Sequence, residues 1–420
     1  MKVLWITNIL LPEATEMLGK GKALKGSGGW LIGAATALLQ TNEVELYIAA
    51  PTTHTKNLKK IVGNKIIYYA IPRPSNQFKY WRKYEYYWKI IKSEVKPDIV
   101  HIHGTEFSHS LAYVRACGAE NVVASIQGMT SVYWKHYTDG LSLKTILCNT
   151  SLFELIIGSS LWQTRNKLKK VGRYEKECIA SVSHVIGRTF WDRAHTWAIN
   201  PSIHYHFCNE TLRDVFYYGQ WSYIGCKKHS IFVAQAKNSI KGFHQLLLAL
   251  PLILREFPDT EIRVPGAFSL DAKTFRHKII ESGYSRYLRS LIKHNELQNH
   301  IVFLGALSGE EMKMELLRAN VFISPSSIEN SPNSVGEAQI LGTPCISSDV
   351  GGVCDMIQHG ISGFIYRFEE IEMLARYVCD IFSGRVDVEF ISNNERECAS
   401  LRHDREKNCE TMINIYKSML

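Results

Sequence analysis

The sequence predicts an α/β protein made of two domains of similar design, each a parallel sheet covered on both faces by helices. Three observations carry this expectation. Short apolar runs alternate with helix-length segments through the first half of the chain, and the same pattern restarts after Ser222–Lys228. At 420 residues the chain also exceeds what one ordinary hydrophobic core organises. Alternation of this kind pairs strands in parallel, because each helix carries the chain back to the starting edge of the sheet.

In the first half, Val3–Ile9, Val44–Ala50, Ile61–Ile71, Ile99–His103 and Val122–Ile126 read as strands, being short, apolar and rich in β-branched residues. In the second half the expected order is strand Ile231–Ala234, helix Gly242–Phe257, strand Glu261–Val264 and helix Tyr284–Asn295. Strand Ile301–Leu304, helix Gly309–Ala319, strand Val321–Ser324, helix Asn333–Gly342 and strand Pro344–Ser347 follow. The boundaries are therefore a first domain at 1–217, a hinge at 218–228 and a second domain at 229–392. The polar, helix-compatible segment 393–420 can cap the second domain or pack back on the first.

Composition narrows the function classes. With 45% hydrophobic and 21% charged residues the chain is globular and neither fibrous nor disordered. A net charge of +9 suits anionic ligands or an anionic membrane surface without requiring nucleic acid, and no nucleic-acid module is recognisable. The ten cysteines show no CxxC pair or regular spacing, which points to reduced thiols in the cytoplasm. The apolar start Met1–Leu10 is too short to span a bilayer and reads as a buried first strand.

The most informative stretch is Ser326 to Ala338, where Glu329 and Glu337 stand eight positions apart on either side of Pro332. Proline is tolerated at a helix start but costs roughly 3 kcal/mol inside one. Glu329 therefore belongs to a loop and Glu337 to the first turns of the next helix. Both flank a helix N-terminus, which favours anions. Carboxylates for hydroxyls beside an anion site suit a sugar nucleotide.

Two further loops lie at the same kind of strand-to-helix position. Pro12–Trp30 contains Lys20, Lys22, Lys25 and then Gly26-Ser27-Gly28-Gly29. It is not a P-loop, because Ser27 stands where lysine is required, and no GxGxxG fingerprint follows Ile9. The loop reads either as a close backbone approach to a ligand or as a glycine-rich surface loop. In the second half, Val233–Phe243 places Lys241 directly before Gly242 at a helix start, a point charge suited to phosphate. By itself that lysine reads first as a solvated side chain.

At these residues the chain resembles the family 4 (group 1) glycosyltransferases of GT-B fold. The segment "PSSIENSPNSVGEAQILGTPCISSDVGG" (Pro325 to Gly352) follows that family's E-x7-E signature. Ile231–Phe243, Val302–Gly305, Gly360–Phe364, the Gly28-Gly29 loop and Asp98–Gly104 match less specifically. The resemblance implies two Rossmann-like, doubly wound domains facing across a cleft. It implies that Glu337 holds the nucleotide ribose, that Glu329 contacts the donor sugar, and that backbone amides at Asn333 and Ser334 meet the diphosphate. Lys241 would balance the diphosphate charge, Gly28 and Gly29 would reach it from the other domain, and Leu307, in the Gly305-Ala306-Leu307 turn, would meet the base. No metal and no cofactor are implied, the nucleotide sugar being a substrate.

Two departures accompany the match. Ala234-Gln235 stands where the family usually has Gly-Arg, leaving Gln235 or Lys237 at the diphosphate. Gln127 stands where a histidine often precedes the glycine, so Gln127 and His103 are the acceptor-side candidates. A looser likeness to capsule and exopolysaccharide enzymes comes from Gly187–Asp192 and Cys208–Arg213. His204 and His206, near Cys208, offer a metal reading that lacks nameable further ligands. The basic, aromatic stretch Phe78–Lys96 and the basic stretch Leu161–Glu177 read either as ordinary surface helices or as helices resting on anionic lipid.

The expectation is therefore a retaining, metal-independent hexosyl- or N-acetylhexosaminyltransferase. It takes a nucleotide diphosphate sugar to a glycan or lipid-linked glycan in surface polysaccharide synthesis, in the cytoplasm or peripherally on the cytoplasmic face of the membrane. The alternatives are a sugar-nucleotide epimerase or hydrolase, and a catalytically silent partner subunit.

Overall fold

A computed structural model describes residues 1–19, 29–266 and 281–420. Gly28, with the lysines at 20, 22 and 25, lies outside the described residues. The chain divides into two compact units. The first comprises residues 1–132, 167–213 and 402–420, and the second residues 133–166 and 214–401.

Among the described residues the first unit holds an eight-stranded sheet in the order β3-β4-β2-β1-β5-β6-β7-β8. The strands are β1 (Lys2–Ile6), β2 (Glu45–Thr52), β3 (Lys59–Val62), β4 (Ile67–Pro72), β5 (Ile99–His103), β6 (Val122–Ser125), β7 (His184–Gly187) and β8 (His204–Phe207). All neighbours pair in parallel except β3 with β4. β1 is central because Val3, Leu4, Trp5 and Ile6 are apolar on both faces and completely buried.

The single strand expected over Ile61–Ile71 is instead a hairpin. Gly63-Asn64-Lys65 forms its turn, closed by Gly63 N donating to Ile66 O at 2.9 Å. β7 and β8 have no counterpart in the sequence reading: each is four residues long and carries histidine, which weakens the apolar signal.

Two helices complete the first unit's relevant packing. In Lys83–Val95 the aromatics Tyr84, Tyr87 and Trp88 turn inward with Ile91 and Val95, and Trp88 Nε1 donates to His109 O at 2.9 Å. Tyr86 of the same helix is exposed. The helix Arg405–Ser418 buries Tyr416, whose hydroxyl accepts from Trp5 Nε1 at 3.1 Å and bonds His101 Nδ1 at 2.6 Å.

In the second unit the described sheet runs β11-β10-β9-β12-β13-β14, wholly parallel. Its strands are β9 (Ser230–Phe232), β10 (Glu261–Val264), β11 (Ile301–Phe303), β12 (Val321–Ser324), β13 (Cys345–Ser348) and β14 (Phe364–Tyr366). Helices Phe243–Leu254, Gly283–His294, Gly309–Arg318 and Asn333–Leu341 lie where the periodicity placed them. β14 and the following helix Ile371–Phe382 extend the series beyond the sequence reading. The core gathers Ile231, Phe243, Leu246, Leu250, Val321 and Ile346, all completely buried.

The partition of the chain differs from the linear boundaries. Residues 133–166 belong to the second unit because polar bonds tie them there. Ser239 Oγ donates to Tyr137 O at 2.7 Å, Ser327 Oγ to His136 O at 3.0 Å, and Gly283 N to Glu154 Oε1 at 2.7 Å. The 218–228 segment is anchored rather than free: Trp221 is buried, with Nε1 donating to Ala319 O at 2.7 Å. The tail 393–420 is also divided, at Arg402. Glu395, buried in the helix Val388–Arg402, accepts from Cys345 N at 2.8 Å in the second unit, while Arg405–Ser418 packs in the first.

Candidate functional site in the second unit

In a doubly wound sheet, ligands bind beyond the carboxyl ends of the strands where the strand order reverses. In the second unit that point lies between β9 and β12, since β10 and β11 extend one way and β13 and β14 the other. A pocket of about 270 Å³ opens there. It is lined by the ends of both strands, including Ala234, Gln235, Lys241, Ser326, Glu329 and Ser334.

Backbone geometry builds the site. Gly242 has φ +65°, and a Cβ there would stand 1.6 Å from Pro325 O. Only glycine lets the loop after β9 press against the loop after β12, and Ser327 N donates to Ile240 O at 2.7 Å across the same contact. Gly351, at φ +58°, does the equivalent for Glu329, whose carbonyl would stand 1.8 Å from a Cβ there. Gly352 N donates to that carbonyl at 3.1 Å. Both glycines bracket the Glu329 loop, so its carboxylate has a defined position.

That carboxylate meets Lys241. The Nζ lies 2.6 Å from Glu329 Oε1, and Ser326 Oγ donates to the same oxygen at 2.7 Å. Lys241 is 28% exposed and Glu329 9%, so the pair sits at a mouth rather than in a core. Its ammonium can turn to an incoming anion while the carboxylate accepts from hydroxyls.

Asn333 and Ser334 open the helix Asn333–Leu341, whose N-cap, Pro332, supplies no side-chain hydrogen bond. Val335 N and Gly336 N donate back to Pro332 O at 3.0 and 3.3 Å, and the helix dipole gives this first turn a partial positive charge that favours an anion. Ser334 lines the pocket, while Asn333 and Glu337 lie outside its walls; Glu337 is buried on the same helix, one turn on. Gln235, at the position of the expected arginine, is exposed at the rim, and Lys237 nearby is also exposed. Leu307 is half-buried in the loop between β11 and the helix Gly309–Arg318, away from the pocket wall.

The first unit has its own pocket at the carboxyl ends of β5, β6 and β7, of about 520 Å³. Trp30, Leu38, His103, Gln127, Arg188 and Glu210 are among its walls. His103 and Gln127, the two acceptor-side candidates, thus share one cavity. His103 is buried, and neither ring nitrogen has a hydrogen-bond partner among the described residues. Burial holds its pKa well below the usual histidine value, with neighbouring His101 adding to the effect. Its ring stacks on His101 at 3.8 Å and meets Trp5 edge-on. Gly29 starts the helix Gly29–Gln40 against the Arg213 side chain, where a Cβ would stand 2.3 Å from Arg213 Cγ.

An ion pair went unassigned in the sequence reading. Arg188 Nη1 lies 2.6 Å from Glu210 Oε2, with both side chains almost fully enclosed. Arg188 Nη2 also donates to Ile126 O at 3.2 Å. Both residues fall within the stretches Gly187–Asp192 and Cys208–Arg213, so the signal was present without the pairing. His204 and His206 take part in stacking: His184 Nδ1 bonds His206 Nε2 at 2.9 Å, and His204 stacks on His184. No group of three or more metal-ligating side chains gathers among the described residues.

Residues 225–397 match the model of a family described as glycosyl transferases group 1. Among curated proteins the chain is similar to the amylovoran biosynthesis glycosyltransferase AmsK of Erwinia amylovora, 28% identical over 121 residues, covering 27% of this chain and 30% of the relative. The chain spans less than half the length of the curated relatives it matches. Among solved structures it resembles sucrose-phosphate synthase from Thermosynechococcus elongatus, with a TM-score of 0.73 at 15% identity over 100% of this chain and 99% of the other. It also resembles Anabaena HepE, solved in complex with UDP, with a TM-score of 0.64 at 15% identity over the full length of both. These likenesses show a shared fold, that of the GT-B proteins with two Rossmann-like parallel-sheet domains. The match to the group 1 glycosyl transferases covers the second unit's pocket, both glycines and both glutamates.

Proposed function

We propose that the chain is a retaining glycosyltransferase that moves a sugar from a nucleotide diphosphate donor to a hydroxyl of a glycan or lipid-linked glycan in surface polysaccharide synthesis. The observation that carries this reading is the Lys241–Glu329 pair beside the N-terminus of the helix Asn333–Leu341, at the point where the strand order reverses within the matched segment.

Cleaving the donor leaves negative charge on the diphosphate and positive charge on the sugar ring. Preorganised donors to the diphosphate then lower the barrier, because they are aimed at charge that grows in the transition state. Lys241 and the amides at Asn333–Ser334 fill that role, with Gln235 or Lys237 at the rim in place of an arginine. Glu329 accepts from sugar hydroxyls and Glu337 from the ribose, and Leu307 is assigned to the base although it lies outside the pocket wall. In this reading neither metal nor cofactor takes part, and His103 with Gln127 bounds the acceptor. Retention follows from same-face attack, the departing phosphate helping to take the acceptor proton.

All ten cysteines are free thiols, which supports a reducing, cytoplasmic setting and the cytoplasmic face of a membrane. The test is a thermal-shift screen of sugar nucleotides followed by transfer assays. Ligand at 100 times its dissociation constant should stabilise the fold by about 2.7 kcal/mol. No shift with any uridine, guanosine, adenosine or thymidine diphosphate sugar would sink the reading. Conversion of donor without acceptor would identify an epimerase or hydrolase instead. The Gln235 substitution is the observation that favours a silent partner subunit, and that reading requires transfer by a complex to survive Glu329→Ala.

A further inference from the structure

Two short helices of the second unit are built inside out relative to an ordinary surface helix. In Leu143–Asn149 the outward residues are Leu143 and Leu147, four apart on one face, while Ile146 alone is buried. In Leu152–Ile157 the outward residues are Leu152, Leu155, Ile156 and Ile157, and the buried one is Glu154. Leu147 is 74% exposed, Leu152 79% and Ile156 83%. Monomeric soluble surfaces rarely gather large apolar side chains this densely, and such patches mark contact sites.

The inversion is fixed by hydrogen bonds. Glu154 closes a capping box with Ser151, whose Oγ accepts from Glu154 N at 3.1 Å. The same carboxylate accepts from Gly283 N at 2.7 Å and pairs with Arg286, which also donates through Nε to Asn149 O at 2.8 Å. The polar face of this segment is therefore spent on the helix Gly283–His294, and the aliphatic face has nowhere to turn but outward.

The chemistry around the patch selects its occupant. Between Leu141 and Asn166 the one carboxylate is Glu154, which is buried and paired, while Lys144 is exposed and Arg165 half-buried. Trp162, half exposed, stacks on the Arg165 guanidinium at 5.0 Å, and Trp134 lies on that guanidinium at 4.7 Å. Aliphatic side chains outward, tryptophan with arginine beside them, and no exposed carboxylate between Leu141 and Asn166 match the boundary between acyl chains and anionic headgroups.

We propose that the helices Leu143–Asn149 and Leu152–Ile157 form a monotopic docking surface for an anionic lipid bilayer, with Leu147, Leu152 and Ile156 entering the acyl boundary and Lys144 and Arg165 meeting the headgroups. This deepens the membrane-face location proposed above and assigns it to a surface outside Phe78–Lys96.

The test is flotation of the whole chain with vesicles of phosphatidylglycerol and phosphatidylcholine, without sugar donor. The wild type should float, and Leu147→Glu with Ile156→Glu should reduce the floating fraction by about ten-fold or more, with unchanged melting temperature. Lys144→Glu should weaken binding to anionic vesicles selectively. A wild type that stays at the bottom, or a double variant that floats equally well, overturns the proposal. So does a wild-type dimer that the double variant splits without either form floating, because a second copy then covers the face. A protein that floats but never transfers sugar counts against the enzyme reading and leaves the docking surface standing.

Discussion

The two units equip the same kind of place, the carboxyl edge of a parallel sheet, in opposite ways. The second unit puts a lysine–glutamate pair, serine hydroxyls and a helix start around a small polar pocket. The first unit packs neutral histidines and tryptophans around a larger apolar one. The difference teaches what each edge can bind. The second can answer a diphosphate with charge, whereas the first offers a mostly apolar wall, one imidazole without partners and one enclosed ion pair, features suited to an acceptor with both apolar and hydroxyl surface.

Acid should separate the units most strongly. His101, His109 and His403 are depressed to about 3 by burial, and His103 lies well below the usual value for the same reason. All four belong to the first unit. Below pH 6.5 the unfolded chain takes up protons that the folded unit refuses. The contribution of each to stability is thus complete above pH 6.5 and is lost as pH falls toward about 3, at up to about 1.4 kcal/mol per pH unit. Glu175, raised by burial to about 7, runs the other way: its destabilisation grows as pH rises from 4.5 through 7, so acidification offsets about one histidine. His244, at about 4, is the second unit's fully buried counterpart. Hydrogen exchange followed by mass spectrometry at pH 7.5 and 5 should show the first unit losing protection first. Equal loss in both would remove the contrast.

The next largest effect is on chemistry. Lys241→Met should lower transfer by about 10²- to 10³-fold, the magnitude typical of removing one transition-state donor. The change should fall in kcat with little shift in melting temperature, measured by donor-saturated kinetics; an unaffected kcat would move the charge to Lys237 or to the first unit.

Gly242→Ala should destabilise the second unit by about 3 kcal/mol, combining left-handed strain with the clash on Pro325 O. Denaturant unfolding would report it, with donor binding lost at the same time. If the first unit's exchange protection dropped equally, the two units would not be separable in this way.

The smallest effect is a gain. His103→Leu removes two buried nitrogens without partners and should stabilise the first unit by about 1 kcal/mol while flattening part of its acid response. A loss of transfer in the same variant, with donor binding intact, would place His103 at the acceptor.

Much of the second unit was legible in advance. Helices such as Gly309–Arg318 declare themselves through periodicity and caps, and Glu329, Pro332 and Glu337 carry their chemistry in their spacing. Other features were hidden because their signals are relational. The hairpin at Gly63 was masked by an apolar run on either side, and β7 and β8 by their histidines. Arg188 and Glu210 stand 22 positions apart, and nothing local says that they pair.

The outward apolar helices make the same point: the bonds of Glu154 to Gly283 and Arg286 decide which face of Leu143–Ile157 turns outward. Sequence alone determined the alternation of strands and helices, the second unit's element order and the residue types at its site, because periodicity, proline and glycine act over a few residues. Tertiary structure decided which segments belong to which unit, which charges meet and which apolar faces remain outside. Those outcomes depend on contacts between residues distant in the chain, where burial and hydrogen-bond satisfaction outweigh local preference.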